Sequence, residues 1–251
     1  MKFFEKLLFY LSVPKCAFCG EILSIEDMGL CKACKVKYDD AKKKNCSVCS
    51  NPLPKCRCTN KYLESHFIHK HVKVFRYRSG EETPENSLIY KLKRDNRRDI
   101  VKFLSEELSD AIKNSVKIDG NVIITSVPRR KSAKIKYGID HAEMLGVSVA
   151  KILGCSYLKT LKSKAKRAQK KAESPEKRIE NANFSTVNDS LDLTGKTVIL
   201  VDDIVTTGAS MGACAFHLKS IGAKKIISAS VATAYKDTYV PPSREDRFSG
   251  R

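Results

Sequence analysis

The sequence contains no hydrophobic run long enough to cross a bilayer. Its apolar N-terminal stretch, residues 3–13, is too short for a span, lacks a small-residue cleavage site and leads directly into Cys16. We therefore expect an amphipathic first helix that packs on the cysteine-rich region, in a protein that is neither secreted nor integral to a membrane. Acidic residues are also in short supply, with 28 Asp and Glu against 47 Lys and Arg, for a formal net charge of +19. This surplus predicts anionic partners, which include phosphorylated small molecules, nucleic acid and acidic membrane surfaces.

Cysteine is scarce after residue 58, where only Cys155 and Cys214 occur, both in apolar surroundings typical of core thiols. The other eight cysteines form four close pairs. Two thiolates separated by two residues offer two corners of a tetrahedron, so two such pairs make a zinc site with four thiolate ligands. This spacing is typical of metal ligands and not of a secreted disulfide scaffold, and we therefore expect a cytoplasmic protein with reduced thiols.

Eight cysteines fit two structural zinc ions, in a module that we place at residues 1–70. Sequential pairing gives Cys16, Cys19, Cys31 and Cys34 as the first site and Cys46, Cys49, Cys56 and Cys58 as the second. A cross-braced arrangement stays open. The last cysteine pair is tighter than the others, and His66, His69 and His71 follow closely. They are candidate substitute ligands, but a surface or strand-edge role is the favoured interpretation. Both sites have a complete set of ligands, which predicts structural and not catalytic metal.

A second stretch, residues 197–210, reads as a strand, a polar loop and the start of a helix. Residues 198–201 form a continuous apolar run, which predicts a strand buried on both faces in a parallel sheet. Asp202 and Asp203 follow where this strand ends. The loop that comes next contains Thr206, Thr207, Gly208, Ala209 and Ser210, and an apolar run at helical spacing continues to Leu218.

This arrangement predicts an anion site next to two carboxylates. Loop amides and a helix N-terminus favour a phosphate, and Gly208 permits a close approach of the backbone. The loop has no Gly-Lys-Thr/Ser sequence, which excludes a Walker A site, and its single glycine excludes a dinucleotide fingerprint. Carboxylate oxygens suit Mg²⁺ and ribose hydroxyls. A ligand that needs both halves is a ribose 5-phosphate that carries a pyrophosphate.

The remaining pattern favours an α/β fold with a mostly parallel sheet flanked by helices. We predict strands at residues 72–77, 122–127 and 226–233, the last of which closes the sheet, and helices at residues 87–92, 100–112, 138–153 and 209–218. Residues 198–201 supply the central strand.

Two basic segments lie in this part of the chain. Arg129, Arg130 and Lys131 follow a predicted strand, and ligands of open α/β sheets bind outside the carboxyl ends of strands. These cations are placed to hold a pyrophosphate, and a solvated basic loop is the alternative. Residues 159–178 have many cations and few apolar side chains, which predicts a mobile loop that closes over the site, or else a linker or a nucleic-acid contact. Residues 236–251 are expected to be disordered.

Residues 197–210 resemble the PRPP-binding motif of type I phosphoribosyltransferases. The order of motifs from residue 1 to about residue 233 is similar to that of the ComF competence family of phosphoribosyltransferase-like proteins. The features that carry this resemblance are the N-terminal cysteine pairs, the segments Ile89-Tyr-Lys-Leu-Lys93 and Lys136-Tyr-Gly-Ile-Asp-His-Ala-Glu-Met-Leu145, the basic loop after Pro128, and Arg167, Gln169, Arg178, Asn181 and Phe184. The chain departs from the family pattern at Tyr137, where the family has Arg, and at Asp140-His141, where it has Asn-Gln. We therefore expect the substrate side of the site to differ.

The resemblance implies a type I phosphoribosyltransferase domain at residues 71–235, between the zinc module and a tail at residues 236–251. It implies that Asp202 and Asp203 hold the ribose hydroxyls of PRPP, directly or through Mg²⁺, while residues 206–210 bind the 5-phosphate. It also implies a role in natural transformation, in which incoming single-stranded DNA is handled with competence proteins at the inner membrane face.

Two other functions stay open. One is a binding module that senses PRPP or a nucleotide and contacts DNA or a partner protein, since a fold does not dictate an activity. The other is a structural scaffold whose ligand site is vestigial. The acceptor substrate is not indicated by any motif in the sequence.

Overall fold

The computed structural model describes residues 14–46, 49–95, 97–132, 135, 138–164 and 182–234. The helices are α1 (Lys32–Lys43), α2 (Lys61–Ser65), α3 (Pro84–Asp95), α4 (Arg98–Lys113), α5 (His141–Leu153) and α6 (Ala209–Ser220), with a 3-10 turn at Leu53–Lys55. The strands are β1 (Ile68–Arg76), β2 (Val122–Ser126), β3 (Ser156–Tyr157), β4 (Leu161–Ser163), β5 (Phe184–Thr186), β6 (Thr197–Val205) and β7 (Lys225–Thr233). In the described ranges, every helix is too short or too polar to span a bilayer.

Five strands form one parallel sheet in the order β1-β7-β6-β2-β3, which confirms the predicted α/β fold. Strand β6 is central, as predicted. The prediction that the last strand closes the sheet is wrong, because β7 lies between β6 and β1. After the last cysteine the chain forms α2 and then β1, which pairs with β7 from Ile68 to Arg76 and takes the edge position.

Helices cover both faces of the sheet, and β6 shows how its sequence serves both. Side chains of a strand alternate between faces. Ile199 and Val201 pack in the cluster beneath α4 and α5, whereas Val198 and Leu200 pack in the cluster beneath α6 and the β4-β5 ribbon. All four side chains are fully buried. A strand that is covered on both faces needs consecutive apolar residues, which explains the continuous apolar run.

The first part of the cysteine-rich segment shares a hydrophobic core with the sheet. Tyr38 of α1 is fully buried, with its ring centroid 5.8 Å from that of Phe75 in β1 and 5.3 Å from that of Phe103 in α4. Its hydroxyl donates to Oε2 of Glu107 at 3.2 Å. This contact docks α1 on the sheet through α4. The predicted boundary near residue 70 stays a prediction.

Several predicted elements differ in extent from the observed ones. Strand β6 runs on to Val205, and the helix predicted from residue 138 begins at His141, where Asp140 caps it by accepting a 3.3 Å bond from the amide of Glu143. Part of the predicted basic loop is strand β4, which pairs with β5 because Leu161 is buried. The predictions for residues 3–13, 165–178 and 236–251, and the motif residues Lys136, Tyr137, Arg167, Gln169, Arg178 and Asn181, lie outside the described residues.

The short helix α2 lies against the first turns of α6, and two glycines make room for it: Gly208, directly before α6, and Gly212, within it. A Cβ atom on Gly208 would lie 2.8 Å from Cδ2 of Leu63, and one on Gly212 would lie 2.7 Å from Cε1 of Tyr62. Leu63 is fully buried, and the Tyr62 ring stacks on His66 at 4.1 Å between centroids. These contacts join the segment that follows the cysteines to α6.

We expect Gly212→Ala to destabilise the protein by about 1–3 kcal/mol, although Ala is normally the better helix former, because the new methyl group would overlap Tyr62. Chemical denaturation at equilibrium measures the change. Gly120→Ala is the matched control, since a Cβ atom there meets open space. A stabilised Gly212→Ala variant would contradict the packing of α2 on α6.

Candidate functional site

The eight N-terminal cysteines gather into two groups of four. Their sulfur atoms lie within 4.8 Å of one another in each group, which we name the first cluster (Cys16, Cys19, Cys31 and Cys34) and the second cluster (Cys46, Cys49, Cys56 and Cys58). This is the sequential pairing, and the cross-braced alternative is wrong. The three histidines considered as substitute ligands are not members of either group. His71 is instead buried between β1 and β7, where Nδ1 lies 2.7 Å from Oγ of Ser228.

The local backbone brings each set of thiols together. A tight turn follows Cys16, whose carbonyl accepts a bond of 3.1 Å from the amide of Gly20, and the carbonyl of Cys46 accepts a bond of 2.9 Å from the amide of Ser50. The sulfur atoms of Cys19 and Cys31 lie 3.7 Å apart. That is close to the edge of a tetrahedron with zinc–sulfur bonds of about 2.3 Å, which is about 3.8 Å. Four thiolates with this spacing fit a closed, structural zinc site in both clusters.

The second cluster has a buried cation beside it. Lys73 of β1 is only 3% exposed, and its ammonium donates to the carbonyl of Cys58 at 2.6 Å. Burial raises the pKa of the Cys56 thiol, and Lys73 acts in the opposite direction by favouring the thiolate. A tetrathiolate zinc site carries a net negative charge, so a buried ammonium at this distance stabilises the loaded cluster.

We expect the purified protein to contain two zinc ions per chain, measured by elemental analysis. Cys49→Ser should leave about one zinc per chain, because one cluster loses a ligand. Cys155→Ser is the control, since Cys155 lies outside both clusters, and it should retain both ions. Equal zinc content in both variants would contradict the assignment of the second cluster.

The acidic pair lies in β6 where that strand has passed the end of β2. The last pairing of the two strands joins Ser126 to Val201, and β6 continues beside β7 alone. The amide of Asp203 donates to Oδ1 of Asp202 at 2.8 Å. Nζ of Lys93, on α3, lies 3.1 Å from Oδ1 of Asp203. One carboxylate thus has a cation partner within the protein, which sequence reasoning did not predict.

The charged form of Asp202 is disfavoured by its surroundings. Burial raises its pKa well above the ordinary value, and the neighbouring Asp203 carboxylate raises it further. A half-buried carboxylate beside a like charge favours a proton or a cation. The arrangement therefore suits a divalent cation or a hydroxyl donor at Asp202.

The cationic loop after β2 is held in place by the start of α5. The backbone amide of Arg129 donates to Oδ2 of Asp140 at 3.0 Å, and its Nη1 donates to the carbonyl of Ile139 at 3.2 Å. The same Nη1 lies 3.2 Å from Nδ1 of His141. Burial, followed by the Arg129 charge, lowers the pKa of His141, so its neutral ring accepts from the guanidinium. Arg130 is half-buried and Lys131 is exposed.

The loop at residues 206–210 connects β6 to α6 through a left-handed residue. Gly208 has φ = +87° and directly precedes the helix. Thr207 is buried, and its Oγ1 accepts from the amide of Ala209 at 3.3 Å. Its carbonyl accepts a bond of 3.2 Å from Nδ2 of Asn60. Because Gly208 has no side chain, it can adopt the positive φ and allow Leu63 to approach closely.

The residues predicted to bind the phosphorylated ligand therefore lie together at the carboxyl ends of β2 and β6. Sequence reasoning missed three contributors: Lys93, which was part of a recognised motif but had no assigned role, His141, and Asn60. Lys93 and Asn60 come from chain segments distant from the residues they contact, so no local spacing signal could have found them. The roles of the predicted site residues stay predictions.

We expect Asp202→Asn to raise the melting temperature at pH 8 by about 2–4 °C, on the order of 1 kcal/mol, because it removes a half-buried charge next to Asp203. The amide oxygen still accepts the bond from the amide of Asp203. In the wild type, Asp202 has a raised pKa when folded, so its contribution to stability is lost as pH rises through that value. The advantage of the variant should accordingly shrink at pH 5.

Thermal unfolding followed by circular dichroism at pH 5 and pH 8 provides the test. Asp110→Asn, an exposed position on α4, is the matched control for the change of charge. A gain that grows as pH falls would contradict the raised pKa of Asp202.

Comparison with known proteins matches part of the chain to one family model. Residues 140–249 match the family model described as "Phosphoribosyl transferase domain", a range that contains the acidic pair, the loop and α6. No curated protein sequence matches the chain.

Similar solved structures include three phosphoribosyltransferases. A purine phosphoribosyltransferase from Pyrococcus horikoshii is 21% identical, with 54% of this chain and 81% of that chain covered and a TM-score of 0.35. A hypoxanthine phosphoribosyltransferase from Staphylococcus aureus is 12% identical, with 53% and 62% covered and a TM-score of 0.37. An adenine phosphoribosyltransferase from Thermoanaerobacter pseudethanolicus is 16% identical, with 55% and 82% covered and a TM-score of 0.35. The match to the phosphoribosyltransferase family model thus begins at residue 140, and the two cysteine clusters lie before it in the sequence.

Proposed function

We propose that this protein binds PRPP with Mg²⁺ at the carboxyl edge of its sheet and acts as a phosphoribosyltransferase in the cytoplasm. We further propose a role in natural transformation, with incoming single-stranded DNA and competence proteins as partners. The observation that carries the ligand proposal is the acidic pair on the free end of β6, followed directly by Gly208 and the N-terminus of α6. Carboxylates and an anion-binding turn are the two elements that a phosphorylated ribose requires.

In this proposal the acidic pair holds the ribose. Asp202 and Asp203 would either accept hydrogen bonds from the 2- and 3-hydroxyls or hold a Mg²⁺ ion that coordinates those hydroxyls, and their charge stabilises the positive charge that develops at C1. The raised pKa of Asp202 means that cation binding releases a proton there, so affinity should fall as pH falls. Mg²⁺ would supply charge to the oxygens of the pyrophosphate leaving group.

The loop at residues 206–210 takes the 5-phosphate. Backbone amides at the first turn of α6 and the dipole of that helix favour a dianion, and the left-handed turn at Gly208 sets the direction of the amides. Arg129, Arg130 and Lys131 take the departing pyrophosphate from the neighbouring strand end. Oδ2 of Asp140 accepts a bond of 3.0 Å from the backbone amide of Arg129. This bond restricts the positions that the charged side chains of the cationic loop can occupy.

A second candidate function is a non-catalytic module that senses PRPP or a nucleotide and binds DNA or a partner protein. The formal net charge of +19 favours it, because a surplus of this size exceeds what one small anionic ligand needs. The two candidates share the ligand site and differ in turnover. Release of pyrophosphate with an acceptor supports the enzyme, whereas DNA affinity that falls steeply with salt supports the binding module.

We expect calorimetry to detect binding of PRPP in the presence of Mg²⁺ by the wild type. The double substitution Asp202→Asn with Asp203→Asn should weaken it at least a hundredfold, since two charge-assisted contacts, each on the order of 2 kcal/mol, are removed. The paired control Asp110→Asn changes one exposed charge on α4 and should bind as the wild type does. Absence of binding by the wild type would exclude the phosphoribosyltransferase proposal. Unchanged binding by the double variant would exclude the assigned site.

A further inference from the structure

One side chain joins the cysteine-rich segment to the phosphate loop, which is the loop at residues 206–210. Asn60 caps α2, because its Oδ1 accepts from the amide of Leu63 at 2.8 Å. Its Nδ2 donates to the carbonyl of Thr207 at 3.2 Å. Both ends of one amide side chain are therefore used, one within α2 and one across to the loop.

The contact fixes a peptide plane in the phosphate loop. The peptide between Thr207 and Gly208 is planar and trans, so its N–H points opposite to its carbonyl. A carbonyl held by Asn60 therefore directs the amide of Gly208 away from α2. That amide is one of the donors available to a phosphate at the start of α6, and glycine alone would leave its orientation free.

Packing around this bond leaves little room for the loop to shift. Leu63 occupies the position where a Cβ atom of Gly208 would lie, and Tyr62 with His66 occupies the corresponding position at Gly212. Both Leu63 and Tyr62 are buried. Movement of α2 would therefore release the first turn of α6 as well as the loop.

The same segment begins at the second cysteine cluster. Cys58 is followed by Thr59 and then Asn60, so a metal bound by Cys58 anchors the chain two residues before the cap. Lys73 holds the carbonyl of Cys58 at 2.6 Å, and Arg57 donates to the carbonyl of Asn114 at 3.0 Å. With the thiols ligated, this segment has fixed points on both sides of Asn60: the cluster before it and the packing on α6 after it.

We propose that Asn60 is a positioning residue for the phosphate loop, and that it couples metal occupancy of the second cluster to binding of the phosphorylated ligand. The inference rests on the proposed function for the identity of that ligand. Loss of metal would free the segment before Asn60, weaken its bond to Thr207 and disorder the Gly208 amide. The cysteine module would then act as a condition for ligand binding, so that a protein without zinc binds PRPP weakly.

The test compares Asn60→Ser with Asn121→Ser in zinc-loaded protein. Serine retains the helix cap, but its shorter side chain does not reach Thr207. Asn121 is exposed at the start of β2, at the opposite edge of the sheet. We expect Asn60→Ser to raise the dissociation constant of PRPP with Mg²⁺ about five- to tenfold, with zinc content unchanged, whereas Asn121→Ser matches the wild type.

Amide exchange without ligand provides a second readout that is independent of PRPP. Exchange of residues 206–210 should become about five- to tenfold faster in Asn60→Ser. Unchanged exchange would overturn the positioning role, even if the wild type failed to bind PRPP and the proposed function were lost for that separate reason. Normal PRPP affinity in zinc-loaded Asn60→Ser would overturn it as well.

Removal of zinc by chelation tests the coupling. We expect it to weaken PRPP binding about tenfold in the wild type and much less in Asn60→Ser, because the path is already broken in the variant. An equal loss in both proteins, or no loss in the wild type, would overturn the coupling through Asn60.

Discussion

The site depends on the register between β2 and β6. Pairing of these strands stops at Ser126 and Val201, and β6 then continues beside β7 alone to Val205. The two carboxylates therefore remain part of a rigid strand while one side of that strand is open. The cationic loop after β2 begins in the space that this mismatch creates. A β2 extended by two residues would pair with the acidic residues and close the edge.

The charges at the carboxyl ends of β2 and β6 are unevenly paired. Nζ of Lys93 lies 3.1 Å from Oδ1 of Asp203, whereas Asp202 is a half-buried carboxylate whose pKa is raised by its surroundings. The cations of the next loop are held by Asp140 and by His141, whose own pKa is lowered. Positive charge thus lies near the acidic pair without neutralising Asp202. This local cost is typical of sites in which charge is kept for a substrate.

The strands of the sheet could be predicted because each depends on a local sequence pattern. Which strands lie next to each other could not be predicted in this way. The apolar run of residues 198–201 requires burial on both faces, and the structure gives it that position. The edge position of β1 and the internal position of β7 depend on pairing between strands far apart in the sequence, which no local periodicity encodes. Lys93 and Asn60 escaped notice for the same reason, since each contacts a residue more than a hundred positions away.

The cysteine-rich segment packs against the rest of the protein at two places. Its first half contributes Tyr38 to the core under α4, and its last residues cover the outer side of the phosphate loop. The loop after β6 is also contacted by a segment from outside its own strand and helix. Here Leu63 supports Gly208, and the glycine is needed because the neighbour is so close. Under the proposed function, metal ligation and ligand binding would thus draw on adjacent contacts of one short segment, residues 56–63.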